Sequence, residues 1–175
     1  MNRYVFSALV IFLSGCSLPH SVKEGGPLSG KHIDPSAKVL ILGIPDGQEP
    51  GQPLAIGSGK GLASSLRATL VKHGIAMTLI DSTDLSIGLQ SAERDGAAYV
   101  LKCTITLWED NATAWSGNGD KLNIAIDLYD AKSHELVAES THKRTATGAT
   151  MVVGTPERFF DEVSQGALGQ IYGWK

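Results

Sequence analysis

The sequence predicts an α/β domain, of the α+β type with one mixed sheet, in the element order β-α-β-α-β-β-β-α. Two observations lead to this class. Before residue 97, short continuous apolar runs alternate with segments whose leucines recur at helical spacing, as in a βαβ unit. After residue 97, three stretches alternate apolar and polar side chains, as antiparallel strands with one covered face do. A βαβ opening followed by a meander predicts a single small domain with helices packed on one sheet.

The first four elements follow from apolar runs and from the residues that end them. Residues 39–42 are continuously apolar, as in a central strand covered on both faces. Gly74 and Gly96 stand where a left-handed residue ends each of the first two helices, and Thr83 is the expected N-cap of the second helix. The first four elements are therefore predicted at residues 39–42, 58–73, 75–80 and 83–94.

The last four elements are three strands and a helix. Leu101, Cys103 and Leu107 alternate with polar residues, so we expect Cys103 to be buried in the first of these strands. Thr155 is suited to an N-cap and Pro156 to the first turn of the last helix. These elements are predicted at residues 99–108, 121–129, 135–145 and 155–172.

The most specific motif precedes the domain. An apolar run, too short to span a bilayer as a helix, ends at Leu13-Ser14-Gly15-Cys16. These four residues resemble the lipobox of bacterial lipoproteins. The resemblance implies that residues 1–15 are a cleaved signal peptide and that Cys16 carries a diacylglyceride and an N-linked acyl chain such as palmitate. Ser17, in place of the aspartate that often marks inner-membrane retention, favours the periplasmic face of the outer membrane. An uncleaved anchor helix and an ordinary signal peptide are the alternatives.

Composition restricts the rest of the chain. Residues 16–36 are rich in glycine, serine and proline and have no apolar period, so we expect a lipidated flexible tether before a periplasmic domain at residues 37–175. The formal net charge is −3, and lysine and arginine are scattered, which argues against nucleic-acid binding. The membrane, through the lipid anchor, and an envelope protein or peptidoglycan are the expected partners.

The segment between two predicted strands, residues 108–120, contains the candidate partner-binding residues. Two tryptophans and three carboxylates at a hairpin end suit recognition of a peptide, a glycan or a protein. The alternative is that both rings cover the edge of the core while the acids are solvated. The candidates are Trp108, Glu109, Asp110, Trp115, Ser116 and Asp120.

The same segment resembles a family of small uncharacterised Gram-negative lipoproteins. Their hallmark is W-E-D-x-A-T-x-W-S-G, an aspartate, and an alternating strand that ends in Y-D-A. The matching positions here are Trp108 to Gly117 within that pattern, then Asp120 and Tyr129-Asp130-Ala131. The resemblance implies a fold and an envelope location for residues 39 to 144. That family is a domain of unknown function, so the resemblance implies no activity.

Catalytic and cofactor signatures are weaker. Residues 57–61 (G-S-G-K-G) resemble a phosphate-binding loop, but Leu54 and Gly61 break the P-loop pattern, so a loop that begins a helix is the expected role. Ser116, His142 and Asp120 form a triad on paper, without a strained turn to present the serine. The five histidines lack metal-ligand spacing. We therefore expect no cofactor, no metal and no catalytic residue. The sequence predicts an outer-membrane lipoprotein with a binding or adaptor domain. A lipid-anchored envelope hydrolase is the alternative.

Overall fold

One mixed sheet organises the chain in the computed structural model, which describes residues 20–111, 118–146 and 154–174. Six strands lie in the order β1-β6-β5-β4-β2-β3. The strands are β1 His20–Pro27, β2 Val39–Ile41, β3 Met77–Leu79, β4 Tyr99–Glu109, β5 Lys121–Asp130 and β6 Leu136–Thr145. The helices are α1 Ser58–Lys72, α2 Leu85–Asp95 and α3 Phe160–Tyr172, and a 3₁₀ turn, Pro156–Phe159, precedes α3. The predicted class, a mixed α+β domain, is confirmed.

The two faces of β2 are covered by different helices. Val39 and Ile41 face a large core formed with α1, α3 and the antiparallel strands, whereas Leu40 faces a smaller core formed with α2. Because successive side chains in a strand point to opposite faces, a fully buried strand must be apolar throughout, as residues 39–42 are. Within the described ranges, no helix is long and apolar enough to cross a bilayer.

Two predicted helix starts are shifted. Asp84, rather than Thr83, caps α2, because its carboxylate accepts the backbone N–H of Ser86 at 2.7 Å and of Ile87 at 3.4 Å. The segment after Thr155 begins with the 3₁₀ turn and becomes α-helical only at Phe160. Gly74 and Gly96 adopt the left-handed conformation predicted for them, with φ of +74° and +67°.

The predicted flexible tether is wrong over much of its length. His20–Pro27 forms β1, which pairs antiparallel with β6 along all eight residues. The side chains of this edge strand are largely exposed, so β1 is held by backbone pairing and shows no apolar alternation. A Cβ atom on Gly25 would lie 2.2 Å from the carbonyl oxygen of Glu139, so this glycine serves close packing rather than flexibility. The folded domain therefore includes residue 20, not only residues 37 onward.

Candidate functional site

Four chain segments meet at one end of the sheet. The register places His20 opposite Thr145, Thr145 opposite Lys121, and Lys121 opposite Glu109. The first residue of β1 therefore lies in the same row as the ends of the β4–β5 hairpin. We call this end of the domain the hairpin end.

A fifth segment, the loop of residues 45–57 between β2 and α1, also reaches the hairpin end. The backbone N–H of Asp110 donates to the Glu49 carboxylate at 3.3 Å. Gly47 packs on the Trp108 ring so closely that a Cβ there would lie 2.8 Å from Trp108 Cε3. The loop is closed by internal bonds, since Gly47 N–H donates to Ser58 Oγ at 2.9 Å and Ala55 N–H to the Gly47 carbonyl at 2.9 Å.

Trp108 belongs to the core, so its predicted role as an exposed contact residue is wrong. Its side chain is 5 % exposed, and its ring centroid lies 6.2 Å from that of Phe160. A β-bulge causes this placement: Ile105 pairs with Ile124 but Leu107 pairs with Asn123, so β4 carries one additional residue. The bulge shifts the alternation by one and turns Trp108 to the core face.

Asp120 is also buried, at 3 % exposure, and is part of an ion pair. Its Oδ2 lies 2.6 Å from Arg158 Nη2, and its Oδ1 accepts the backbone N–H of Asn111 at 3.0 Å. The Arg158 guanidinium stacks on the Phe159 ring at 4.8 Å. The pair joins the base of the hairpin to the 3₁₀ turn, which is a structural role rather than a contact surface.

Glu109 and Asp110 are the described candidates that reach solvent. Glu109 forms a cross-strand ion pair with Lys121 at 2.8 Å. Asp110 is exposed. The pKa of its carboxyl group is nevertheless raised, because the group loses part of its hydration and lies near the negative charges of Asp120, Glu49 and Glu157. Trp115 and Ser116 lie outside the described residues, as does Cys16.

The backbone N–H groups at the glycine-rich start of α1 bind a carboxylate of the protein itself, that of Asp46. Asp46 Oδ1 accepts the backbone N–H of Gly59 at 2.8 Å, and Oδ2 accepts that of Gly57 at 3.0 Å. These two bonds lower the pKa of the Asp46 carboxyl group. A carboxylate of the protein therefore occupies the place where a phosphate would bind.

The two described members of the triad drawn from the sequence, His142 and Asp120, are engaged with other partners. Both ring nitrogens of His142 are engaged elsewhere: Nε2 lies 2.8 Å from Ser21 Oγ, and Nδ1 lies 3.3 Å from the Val163 carbonyl oxygen. The Asp120 carboxylate forms an ion pair with Arg158. Cys103 is buried as predicted, and burial raises the pKa of its thiol. Among the described residues, no three His, Cys, Asp or Glu side chains are grouped to hold a metal ion.

Sequence reasoning missed two surface features. One is a groove of about 520 Å³ at the carboxyl ends of β2 and β3, lined by Ile44, Lys60, Arg67, Leu79 and Asp81 among others. The other lies in the loop of residues 45–57, where Leu54 is 52 % and Ile56 is 88 % exposed. Isolated apolar residues in a glycine- and proline-rich loop carry no periodic signal, so the sequence pattern gave no reason to select them.

Comparison with solved structures identifies this fold in other bacterial proteins. The PelC dodecamer from Paraburkholderia phytofirmans matches with a TM-score of 0.60 at 17 % identity, over 89 % of this chain and 99 % of that one. Lipoprotein GNA1162 from Neisseria meningitidis matches with a TM-score of 0.50 at 13 % identity, over 66 % and 87 %. Protein XCC0632 from Xanthomonas campestris, of the DUF330 family, matches with a TM-score of 0.50 at 13 % identity, over 85 % and 91 %.

At these identities, the shared property is the fold. No protein-family model matches the chain, and no curated protein matches it by sequence. The domain is thus a small mixed α+β domain of a kind that also occurs in lipoprotein GNA1162.

Proposed function

We propose that the protein is an outer-membrane lipoprotein, held by lipid on Cys16, whose periplasmic domain binds another component of the cell envelope. The lipobox residues and the occurrence of the same fold in lipoprotein GNA1162 support the anchor. Ser17, directly after the cysteine, supports the outer membrane. Two or more acyl chains on Cys16 make attachment effectively permanent, because a single chain binds membranes reversibly.

The observation that carries the proposal is the position of His20 at the hairpin end. His20 is the fourth residue after Cys16, and four extended residues span at most about 14 Å. An anchored domain therefore keeps its hairpin end close to the lipid headgroups, instead of standing off on a tether of twenty residues. The partner that fits this placement is an envelope component that is itself at the membrane surface.

The contact surface that we assign to that partner is the solvent-facing part of the hairpin end. Glu49 and Asp110 lie there side by side, and Trp115 and Ser116 belong to the segment that directly follows. Carboxylates in this position favour a partner with basic groups, through charge complementarity. The PelC structure is a dodecamer, so a second copy of the chain is one partner that the experiment must be able to detect.

The anchor is tested by labelled palmitate and by membrane fractionation of wild type beside Cys16→Ser. We expect the label in wild-type protein in outer-membrane fractions and its loss from the variant. Equal label in both proteins, or none in either, would refute the assignment.

The contact surface is tested by a photo-crosslinking residue in place of Asp110, with Lys72 at the far end of α1 as the matched control. We expect a specific product at position 110 that weakens in Trp115→Ala and is absent at position 72. The same products from both positions, or products unchanged in a folded Trp115→Ala variant, would refute the surface.

A further inference from the structure

The exposed apolar residues of the loop of residues 45–57 lie at the end of the domain that is nearest to the proposed anchor. Ile56 is 88 % and Leu54 is 52 % exposed. The loop is tied to the hairpin end through Gly47, which packs on Trp108, and through Glu49, which accepts the Asp110 N–H. Two large apolar side chains therefore project from a surface that the short segment between Cys16 and His20 keeps near lipid.

The loop presents these side chains in a fixed conformation. Gln48 and Leu54 form an isolated antiparallel bridge, and the Ile56 N–H donates to the Leu54 carbonyl at 2.9 Å. The Ser58 N–H donates to the Ala55 carbonyl at 3.0 Å, which joins the loop to the start of α1. Because the backbone is already ordered, contact with another surface costs little conformational entropy.

We propose that Leu54 and Ile56 rest in the interfacial layer of the bilayer and, with the lipid on Cys16, fix the orientation of the domain. This inference rests on the proposed function, since it requires the anchor. The anchor restricts the domain to the membrane surface, and the resulting high effective concentration lets a weak apolar contact form. The occupant is lipid because the chain between Cys16 and His20 spans at most about 14 Å.

The charges beside the loop limit the depth of this contact. The Glu49 and Asp110 carboxylates lie at the same end and lose hydration if they enter hydrocarbon. The apolar side chains therefore reach the headgroup and acyl boundary, while the carboxylates stay in the hydrated layer. The same charges disfavour binding without the anchor, so the contact orients the domain rather than recruiting it.

The test uses the full-length lipidated protein in vesicles of phosphatidylethanolamine with a minor fraction of phosphatidylglycerol. A single environment-sensitive fluorophore is attached at Ile56→Cys, and quenching by a lipid with a spin label near its headgroup is measured. Cys103 is 2 % exposed, so protein without the added cysteine provides the labelling blank. We expect several-fold stronger quenching at position 56 than at the control positions.

Two control positions distinguish the possible orientations. Val71→Cys places the fluorophore on another exposed apolar position, 59 % exposed, near the opposite end of α1. That helix has 15 residues and is about 22 Å long. Glu24→Cys places it on the exposed edge strand β1. Equal quenching at positions 56 and 71, or stronger quenching at position 24, would overturn the proposed orientation.

The remaining outcomes separate this inference from the proposed function. If the protein floats with vesicles but the fluorophore at position 56 is shielded only from a water-soluble quencher, the surface is covered by a second copy of the chain, and the lipid contact is wrong. If the palmitate label is absent and the protein does not float with vesicles, the anchor fails, and the inference fails with it.

Discussion

The imidazole of His142 on β6 is completely buried, and its Nε2 lies 2.8 Å from the hydroxyl oxygen of Ser21 on β1. The other ring nitrogen faces the carbonyl oxygen of Val163 on α3 at 3.3 Å. One side chain thus connects the edge strand nearest to the proposed anchor, its neighbouring strand and the helix that covers both. Burial lowers the pKa of His142; Lys23 and Arg144 act in the same direction, while Val163 and Glu162 oppose them.

We expect the domain to lose stability in mildly acidic solution because of His142. Its folded pKa is lowered, so as pH falls the unfolded chain binds the proton first. The free energy of unfolding then decreases as pH falls below the ordinary histidine pKa of about 6.5 and continues to decrease until the folded pKa is passed. Denaturant unfolding measured between neutral and mildly acidic pH tests this.

His142→Gln is the matched variant for that experiment, because its amide keeps a polar group near Ser21 but does not titrate. The difference in unfolding free energy between wild type and variant at each pH separates the contribution of His142 from that of the carboxylates, which titrate at lower pH. The same pH dependence in both proteins would show that His142 does not contribute.

Gly25→Ala should weaken the attachment of β1. The new Cβ would lie 2.2 Å from the Glu139 carbonyl oxygen, and the residue has φ of +111°, which alanine rarely adopts. We expect a loss of more than about 1 kcal/mol and faster amide hydrogen exchange across β1.

Gly30→Ala is the control for Gly25→Ala. Gly30 also has a positive φ, +75°, but nothing lies within 4 Å of the Cβ position. It should therefore show the conformational cost without the clash and leave exchange in β1 unchanged. Equal effects of the two variants would argue against close packing of β1 on β6.

Trp108→Ala should destabilise the whole domain by about 3–5 kcal/mol, because it removes a large buried side chain from the core. Asp110→Ala, two residues later and exposed, should change stability by no more than about 0.5 kcal/mol. Thermal and denaturant unfolding of the two variants measure the contrast. A Trp108→Ala domain of nearly wild-type stability would mean that the ring is not part of the core.

Trp108 also shows where sequence reasoning about the site failed. Strict alternation from Leu101 through Leu107 predicts that Trp108 points away from the core. The additional residue between Ile105 and Leu107 reverses the faces, and Leu107 becomes only partly buried. A bulge arises from local backbone pairing with β5, so apolar periodicity in β4 alone does not reveal it.

The fold was predictable where burial imposed a pattern. β2, α1 and β5 bury one or both faces, so their periodicity located them to within a residue or two. β1 was missed because an exposed edge strand is held by backbone hydrogen bonds, which depend little on the identity of the side chains. Gly25, which close packing against β6 requires, is also one of the residues that suggest a linker.

The ion pair of Asp120 and Arg158 distinguishes structural from contact roles at the hairpin end. Asp120 and Arg158 form an ion pair at 2.6 Å in which the carboxylate is nearly inaccessible to solvent. Removing either side chain leaves the other charge without its partner, so Asp120→Ala and Arg158→Ala should each lose about 2–3 kcal/mol of stability. The double variant should lose less than the sum, since one interaction is removed in both single variants.

Asp120→Asn refines the measurement, because its carbonyl oxygen still accepts the Asn111 N–H while the charge is lost. It should therefore be more stable than Asp120→Ala and less stable than wild type. Crosslinking from position 110 should persist in Asp120→Asn under conditions in which the domain is folded, since a residue so deeply buried does not touch a partner. Loss of crosslinking without loss of stability would instead make Asp120 a contact residue, as the sequence pattern first suggested.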